Sequence, residues 1–156
     1  MNEFPLHTDL AHWARPPRYF MLRAVAGSTL VATTMLAGSA VIAAVGESIF
    51  RRAVARPRRW SHASPRCLLP LSFRQNGVFS LRWDSVFLIP MNQAAYEVAN
   101  VMSQEIWKQP DTEHISLTDW GDTLIVDNWR MLHGRGSVPV SETSRLLERI
   151  YLSELF

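Results

Sequence analysis

Cysteine is nearly absent: Cys67 is the only one in 156 residues, so no disulfide can form within the chain. That excludes a stapled, secreted mini-domain and points to a reducing, cytoplasmic setting. A large charge surplus is missing too. Sixteen basic residues against fourteen acidic ones leave +2, too little to call for a nucleic-acid partner. Lysine is all but missing, Lys108 standing alone among the basic residues, a bias that reflects genome composition more than function. Nothing repeats along the chain. The opening, MNEFPLHTDLAHWARPPR, is too charged and too rich in proline for a signal peptide. What is present is ample apolar material, 47% of residues against 19% charged, in a length that suits one domain over 1–156.

Two stretches stand out from this background. Residues 24–46 carry no charge and are long enough to cross a bilayer, which takes about 20 apolar residues. Their apolarity comes mostly from Ala, however, interleaved with Gly, Ser and Thr, so a short strand followed by a closely packed helix is the favoured reading over a membrane anchor. The second stretch is the arginine run from Arg51 and Arg52 through Arg56, Arg58 and Arg59 to Arg66. With Trp60 as a stacking face it could hold an anionic ligand or RNA. The simpler reading is a solvated helix end and loop, broken by Pro57 and Pro65.

The pattern predicts strands at 4–10, 19–25 and 29–33, then a helix over 35–54 that ends before Pro57. An irregular arm follows to Gln75, and the helical and irregular insertion as a whole covers 34–75. Strands are expected at 78–83 and 85–89, a helix over 93–108, and a buried strand at 123–126 after the Gly121-Asp122 turn. Gly134 and Gly136 read as a loop, and 145–151 closes the chain. Several strands around helical insertions indicate a β-rich sandwich or barrel more than a doubly wound sheet.

Chemistry concentrates at the two ends. In a strand, residues i and i+2 share a face, so His7-Thr8-Asp9 offers an imidazole and a carboxylate side by side. Two imidazoles and one carboxylate on one face of a metal leave open positions and suit non-haem Fe(II). Alone, the tripeptide reads better as a surface turn. His133, in DNWRMLHGRG, follows an apolar strand and is the candidate for the second imidazole. His62 and His114 lie in polar surroundings, and His12 has no comparable setting. Arg145 and Arg149 point to one region whether SRLLERIYL is a strand or a helix. Guanidinium grips carboxylates bidentately; pairing with Glu142 and Glu148 on a surface is the plainer alternative.

Taken in order, these pieces resemble the taurine dioxygenase and clavaminate synthase-like family of Fe(II)/2-oxoglutarate oxygenases. LHTD and PPRYFMLRAV look like the family's first metal strand and the strand after it. AGSTLVAT is similar to its Gly-Gly-x-Thr turn, with Ser28 where a charged residue is common. DNWRMLHGR looks like the segment delivering the distal histidine, and the arginine pair follows at the family's spacing, with Arg145 twelve residues on. RWDSVFLIP and the following helix share the look, while the likeness is weakest over 49–75.

The resemblance implies a double-stranded β-helix, a jelly roll that is mainly β with helical insertions. It implies a dioxygenase with Fe(II) and 2-oxoglutarate as cofactor and cosubstrate. His7, Asp9 and His133 would hold the iron, Arg145 with the Thr29 hydroxyl the 2-oxoglutarate, and Arg149 the substrate. A small, anionic or amino-acid-like molecule would be oxidised with O2, releasing succinate and CO2. Only six residues precede His7, where the family carries a substantial region. The barrel is therefore expected to be incomplete at its N-terminus: either the chain is a truncated or fragmentary gene product, or a second copy or partner chain supplies the missing layer, since an open sheet face invites association. Two other readings remain: an inactive truncated barrel that only binds, and a single-span membrane protein anchored by 24–46.

Overall fold

In the computed structural model, residues 3–59, 68–75, 77–104, 112–142 and 144–152 are described. The chain enters as β1 (Phe4–His7), turns, and returns as β2 (Tyr19–Ala26), whose alternation sends Phe20, Leu22 and Ala24 inward. β3 follows at Thr33–Ala37. Two short helices, α1 (Gly38–Val45) and α2 (Glu47–Arg52), are separated by Gly46, whose φ of 96° lies in the left-handed region that favours glycine. Next come β4 (Val54–Pro57), β5 (Leu69–Pro70), β6 (Ser72–Gln75), β7 (Val78–Leu81) and β8 (Leu88–Pro90). α3 (Gln93–Ser103) starts at Asn92, whose side chain accepts from Ala95 N at 3.0 Å. The rest is strand: β9 (Glu113–Ile115), β10 (Thr123–Asp127), β11 (Met131–Arg135) and β12 (Leu146–Leu152).

The architecture is mainly β, as the sequence implied. Two antiparallel sheets matter for the site. One has the order β1-β11-β3-β9, the other β10-β2-β12. Between them lie Phe20, Leu22, Ala24, Met35 and Val126. The opposite face of the first sheet contributes Leu6, Leu36 and Leu132 to a second core with the helices, including Val41, Phe50 and Val98. Each fully buried side chain of this size contributes about 1.5–3 kcal/mol. The first sheet is thus packed on both faces. The second is covered on one only: Ile125 and Ile150, both in register with Met21, remain 49% and 46% exposed.

Several boundaries differ from the sequence expectations. The strand expected at 29–33 lies at Thr33–Ala37; the chain before it is tied instead to the 117–118 segment, with Ser28 N donating to Leu117 O at 2.9 Å and Gly27 too close to Thr118 O for a side chain. Met35, Leu36 and Ala37 therefore belong to a strand, and the helix expected over 35–54 begins at Gly38, bends at Gly46 and stops at Arg52. Pro57 does not end it; Pro57 sits in β4, inside the arm expected to be irregular. The strand expected at 85–89 is a turn up to Phe87, where Asp84 accepts from Val86 N and Phe87 N. β10 is buried at Val126 alone, being at the margin of its sheet. Trp60, His62, Arg66, Cys67 and the expected helical residues 105–108 lie outside the described residues. No helix among the described residues is long and apolar enough to cross a membrane. The uncharged stretch 24–46 is divided among the end of β2, a loop, β3, α1 and Gly46.

Gly134 is not a loop residue. It lies inside β11, where a Cβ would stand 2.9 Å from Phe4 O and 3.2 Å from Leu6 N in the neighbouring β1. Both are backbone atoms that cannot swing aside. Gly134→Ala is therefore expected to cost about 1–3 kcal/mol by overpacking, with Tm falling roughly 2–4 °C for each kcal/mol. A melt unchanged from the wild type refutes this close approach.

Candidate metal centre

The antiparallel pairing of β1 with β11 sets His7 opposite His133. Alternation along β11 turns His133 away from Leu132 and its core, toward the space between the two main sheets. There its ring lies 4.1 Å from that of His7 and 4.5 Å from that of Phe20, centroid to centroid. His7 Nδ1 lies 2.9 Å from Pro5 O. A carbonyl only accepts, so Nδ1 carries the proton and Nε2 presents its lone pair.

Asp9 arrives differently. It lies beyond the end of β1, in a turn, and Leu10 directly after it has φ of 53°. The intervening Thr8 faces the other way, donating its amide to Trp83 O at 2.8 Å and accepting from Trp83 N at 3.1 Å. With Thr8 pinned there, Asp9 Oδ1 comes to 3.4 Å from His7 Nε2 and 3.6 Å from His133 Nε2. All three residues are buried, and their ligand atoms lie within 4.8 Å of one another. Two donors at right angles on one ion, each about 2.1 Å from it, would stand about 3 Å apart. The carboxylate-to-imidazole distances of 3.4 and 3.6 Å are close to that spacing.

The hydrogen-bond inventory supports the fit. Asp9 Oδ2 and both ring nitrogens of His133 are buried with no hydrogen-bond partner. Orphaned buried acceptors cost about 1–3 kcal/mol each, and a cation bonded to Asp9 and to His133 Nε2 would relieve two of them. The residues fit a two-histidine, one-carboxylate metal site.

Over this trio opens a pocket of about 420 Å³, lined among others by Thr33, Arg135, Arg145, Leu147 and Arg149. The segment 146–152 is a strand, so the strand reading of SRLLERIYL is the one realised. Arg149 Nη1 donates to Asp9 Oδ1 at 2.9 Å, with its guanidinium 5.5 Å above the Phe20 ring. Its carboxylate partner is Asp9, not Glu142 or Glu148. Arg145 Nε is buried without a partner, and burial together with Arg135 lowers its affinity for a proton. Three arginines against one carboxylate make the pocket cationic and suited to a small anion.

Thr29, expected in this pocket, is exposed in the loop before β3 and does not line it. Thr33 does. It sits opposite Arg135 in the β3–β11 register, on the face of β3 shared with Met35. Thr33 and Arg135 were legible in principle, each lying two residues from an inward-facing neighbour. Placing β3 four residues too early hid the first. His114 is exposed and hydrogen-bonds Thr34 at 3.3 Å, while His12 stacks on Phe87 at 5.1 Å, and neither joins the trio.

Among solved structures, asparagine oxygenase in complex with Fe(II), 2S,3S-3-hydroxyasparagine and succinate superposes with a TM-score of 0.76 at 17% identity, over 97% of this chain. The chain has the fold of a non-heme iron oxygenase. The oxygenase OrfP with Fe, succinate and (3S)-hydroxy-L-Arg gives 0.70 at 23% identity over 97% of the chain. OrfP with Fe alone gives 0.67 at 20% over 99%. The chain spans about half the length of these structures, 50%, 50% and 52% respectively. No protein-family profile and no curated protein sequence matches it.

Electrostatics prepare the trio for a cation at neutral pH. Burial alone would raise the Asp9 carboxyl; the close His133 and His7 side chains and the hydrogen-bonded Arg149 guanidinium outweigh it and hold Asp9 well below the usual range. Burial lowers His133 to about 4, opposed by Asp9 and assisted by His7 and Arg149. Both groups bind protons less readily folded than unfolded. Their contribution to stability is present above the unfolded values and is lost on acidification, for His133 between about 6.5 and about 4. In metal-free buffer, the unfolding free energy from denaturant melts is expected to fall across that window by up to about 1.4 kcal/mol per pH unit. A flat profile from pH 6.5 to 4 contradicts a buried, neutral His133.

Proposed function

We propose that this chain is an Fe(II)- and 2-oxoglutarate-dependent oxygenase that oxidises a small, amino-acid-like substrate. The observation that carries this is the convergence of His7, Asp9 and His133 beneath the pocket lined by Arg145 and Arg149. Three protein donors leave room for a chelating cosubstrate and for O2. Several of the solved neighbours contain iron together with succinate and a hydroxylated amino acid.

In this reading His7, Asp9 and His133 hold Fe(II), and Asp9 halves its charge, which leaves the centre attractive to an anionic chelator. Bound iron and 2-oxoglutarate would supply the oxidising chemistry, with succinate and CO2 released. Arg145 receives the distal carboxylate of 2-oxoglutarate, and the hydroxyl beside it comes from Thr33, since Thr29 lies outside the pocket. Arg149 anchors the Asp9 carboxylate and offers its remaining N–H groups to the substrate's acid group. Phe20 closes the floor next to His133 and keeps water from that side.

The test is an anaerobic absorbance titration with Fe(II) and 2-oxoglutarate, which should produce the visible charge-transfer band of the chelate. No band from the folded wild-type chain ends this reading. His133→Ala is expected to abolish both the band and 2-oxoglutarate-dependent succinate formation, and unchanged turnover removes His133 from the ligand set. Arg145→Leu should leave Fe(II) affinity alone but weaken 2-oxoglutarate roughly 10- to 100-fold, the worth of about 1.5–3 kcal/mol for a charged hydrogen bond. Unchanged 2-oxoglutarate affinity places the carboxylate clamp elsewhere.

A further inference from the structure

His7 and His133 are held in place by a β-ladder, but Asp9 is not. It sits past the end of β1, and the backbone turns into the left-handed region at the next residue. Its main chain is paired instead with one side chain, that of Asn128. The Asp9 amide donates to Asn128 Oδ1 at 2.6 Å, and Asn128 Nδ2 donates back to Asp9 O at 3.0 Å and to Pro17 O at 2.9 Å. Asn128 is completely buried, and both its donor hydrogens are used. Two carbonyls on one side and an N–H on the other fix the orientation of the amide. No other residue type of this length offers an acceptor and two donors together: Asp cannot donate, and Ser and Thr are too short for both bonds.

The position of Asn128 matters as much as its chemistry. It occupies the turn between β10 and β11, five residues before His133, and its own amide donates to Arg18 O at 2.7 Å. The hairpin that delivers His133 therefore also carries the clamp for Asp9. We propose that Asn128 is the positioning residue of the metal centre, holding the Asp9 main chain so that its carboxylate meets both imidazoles. This rests on the reading of His7, Asp9 and His133 as metal ligands.

The test uses the full chain and Co(II) alone as the probe, with affinity read from the visible absorbance of the bound ion and folding from circular dichroism and thermal melts. Asn128→Ala is expected to remain folded and to bind Co(II) about 10- to 100-fold more weakly, the range seen when outer partners of metal ligands are removed. Asn128→Ser, which can restore at most one bond, should fall between. Trp129→Phe removes a buried hydrogen bond in the same turn, from Trp129 Nε1 to Pro16 O at 3.1 Å, without touching Asp9. It should lower Tm but keep wild-type Co(II) affinity, separating positioning from stability. Wild-type affinity in Asn128→Ala overturns the proposal, as does an equal loss in Trp129→Phe. So does failure of both Asn128 variants to fold, since the residue would then support the fold and not the site. A wild-type chain that binds no Co(II) overturns this proposal and the oxygenase reading together, whereas binding unaffected by Asn128 substitution overturns this one alone.

Discussion

The register of a single strand pair underlies everything else in this molecule. β1 is four residues long and meets β11 with His7 opposite His133, so a segment at the start of the chain lies beside one more than a hundred residues later. Because side chains alternate with a period of two, slipping that pairing by one residue would send one imidazole into the core holding Leu6 and Leu132. The register is protected by apolar packing on that far face and by the absence of a side chain at Gly134, which lets the two backbones approach.

Around that pair the protein arranges charges that would be costly without a cation. A buried carboxylate lies next to two buried imidazoles and a guanidinium, and several of their polar atoms find no partner of their own. A buried carboxylate is tolerated only where compensating donors hold its charge. Here Arg149 does so, and its position with those of the two imidazoles also defines the approach of a ligand. The cationic pocket above and the electron-rich trio below are parts of one electrostatic design. An anion entering the pocket is drawn toward the face where a metal would sit.

Some of this was legible from residue order. β2 announces itself through the alternation of YFMLRAV, and α3 through its apolar period. His7, Asp9, His133, Arg145 and Arg149 are all legible as candidates from residue type, spacing and the family resemblance. Several of the displaced boundaries share a cause. β3 and the α1–α2 pair come from a stretch of Ala, Gly, Ser, Thr and Val whose local preferences scarcely separate strand from helix, and the bend at Gly46 divides the helical part. The threonine that lines the pocket, Thr33, opens the observed β3. DNWRMLHGR marks Asn128 only as part of the segment leading to His133; nothing local indicates its role, since its partners are Asp9 and Pro17, more than a hundred residues away.

Residue chemistry and spacing alone were enough to say that this chain carries donors for a metal and guanidiniums for an acid, on a mainly β framework. Side-chain type is a local property, and periodicity reports which face a residue occupies on its own strand. Which strands become neighbours is settled by long-range packing, where many apolar contacts compete to set one register. Only the folded chain could therefore show that Asp9 lies between two imidazoles from opposite ends, that Arg149 is bound to it, and that Asn128 holds it there.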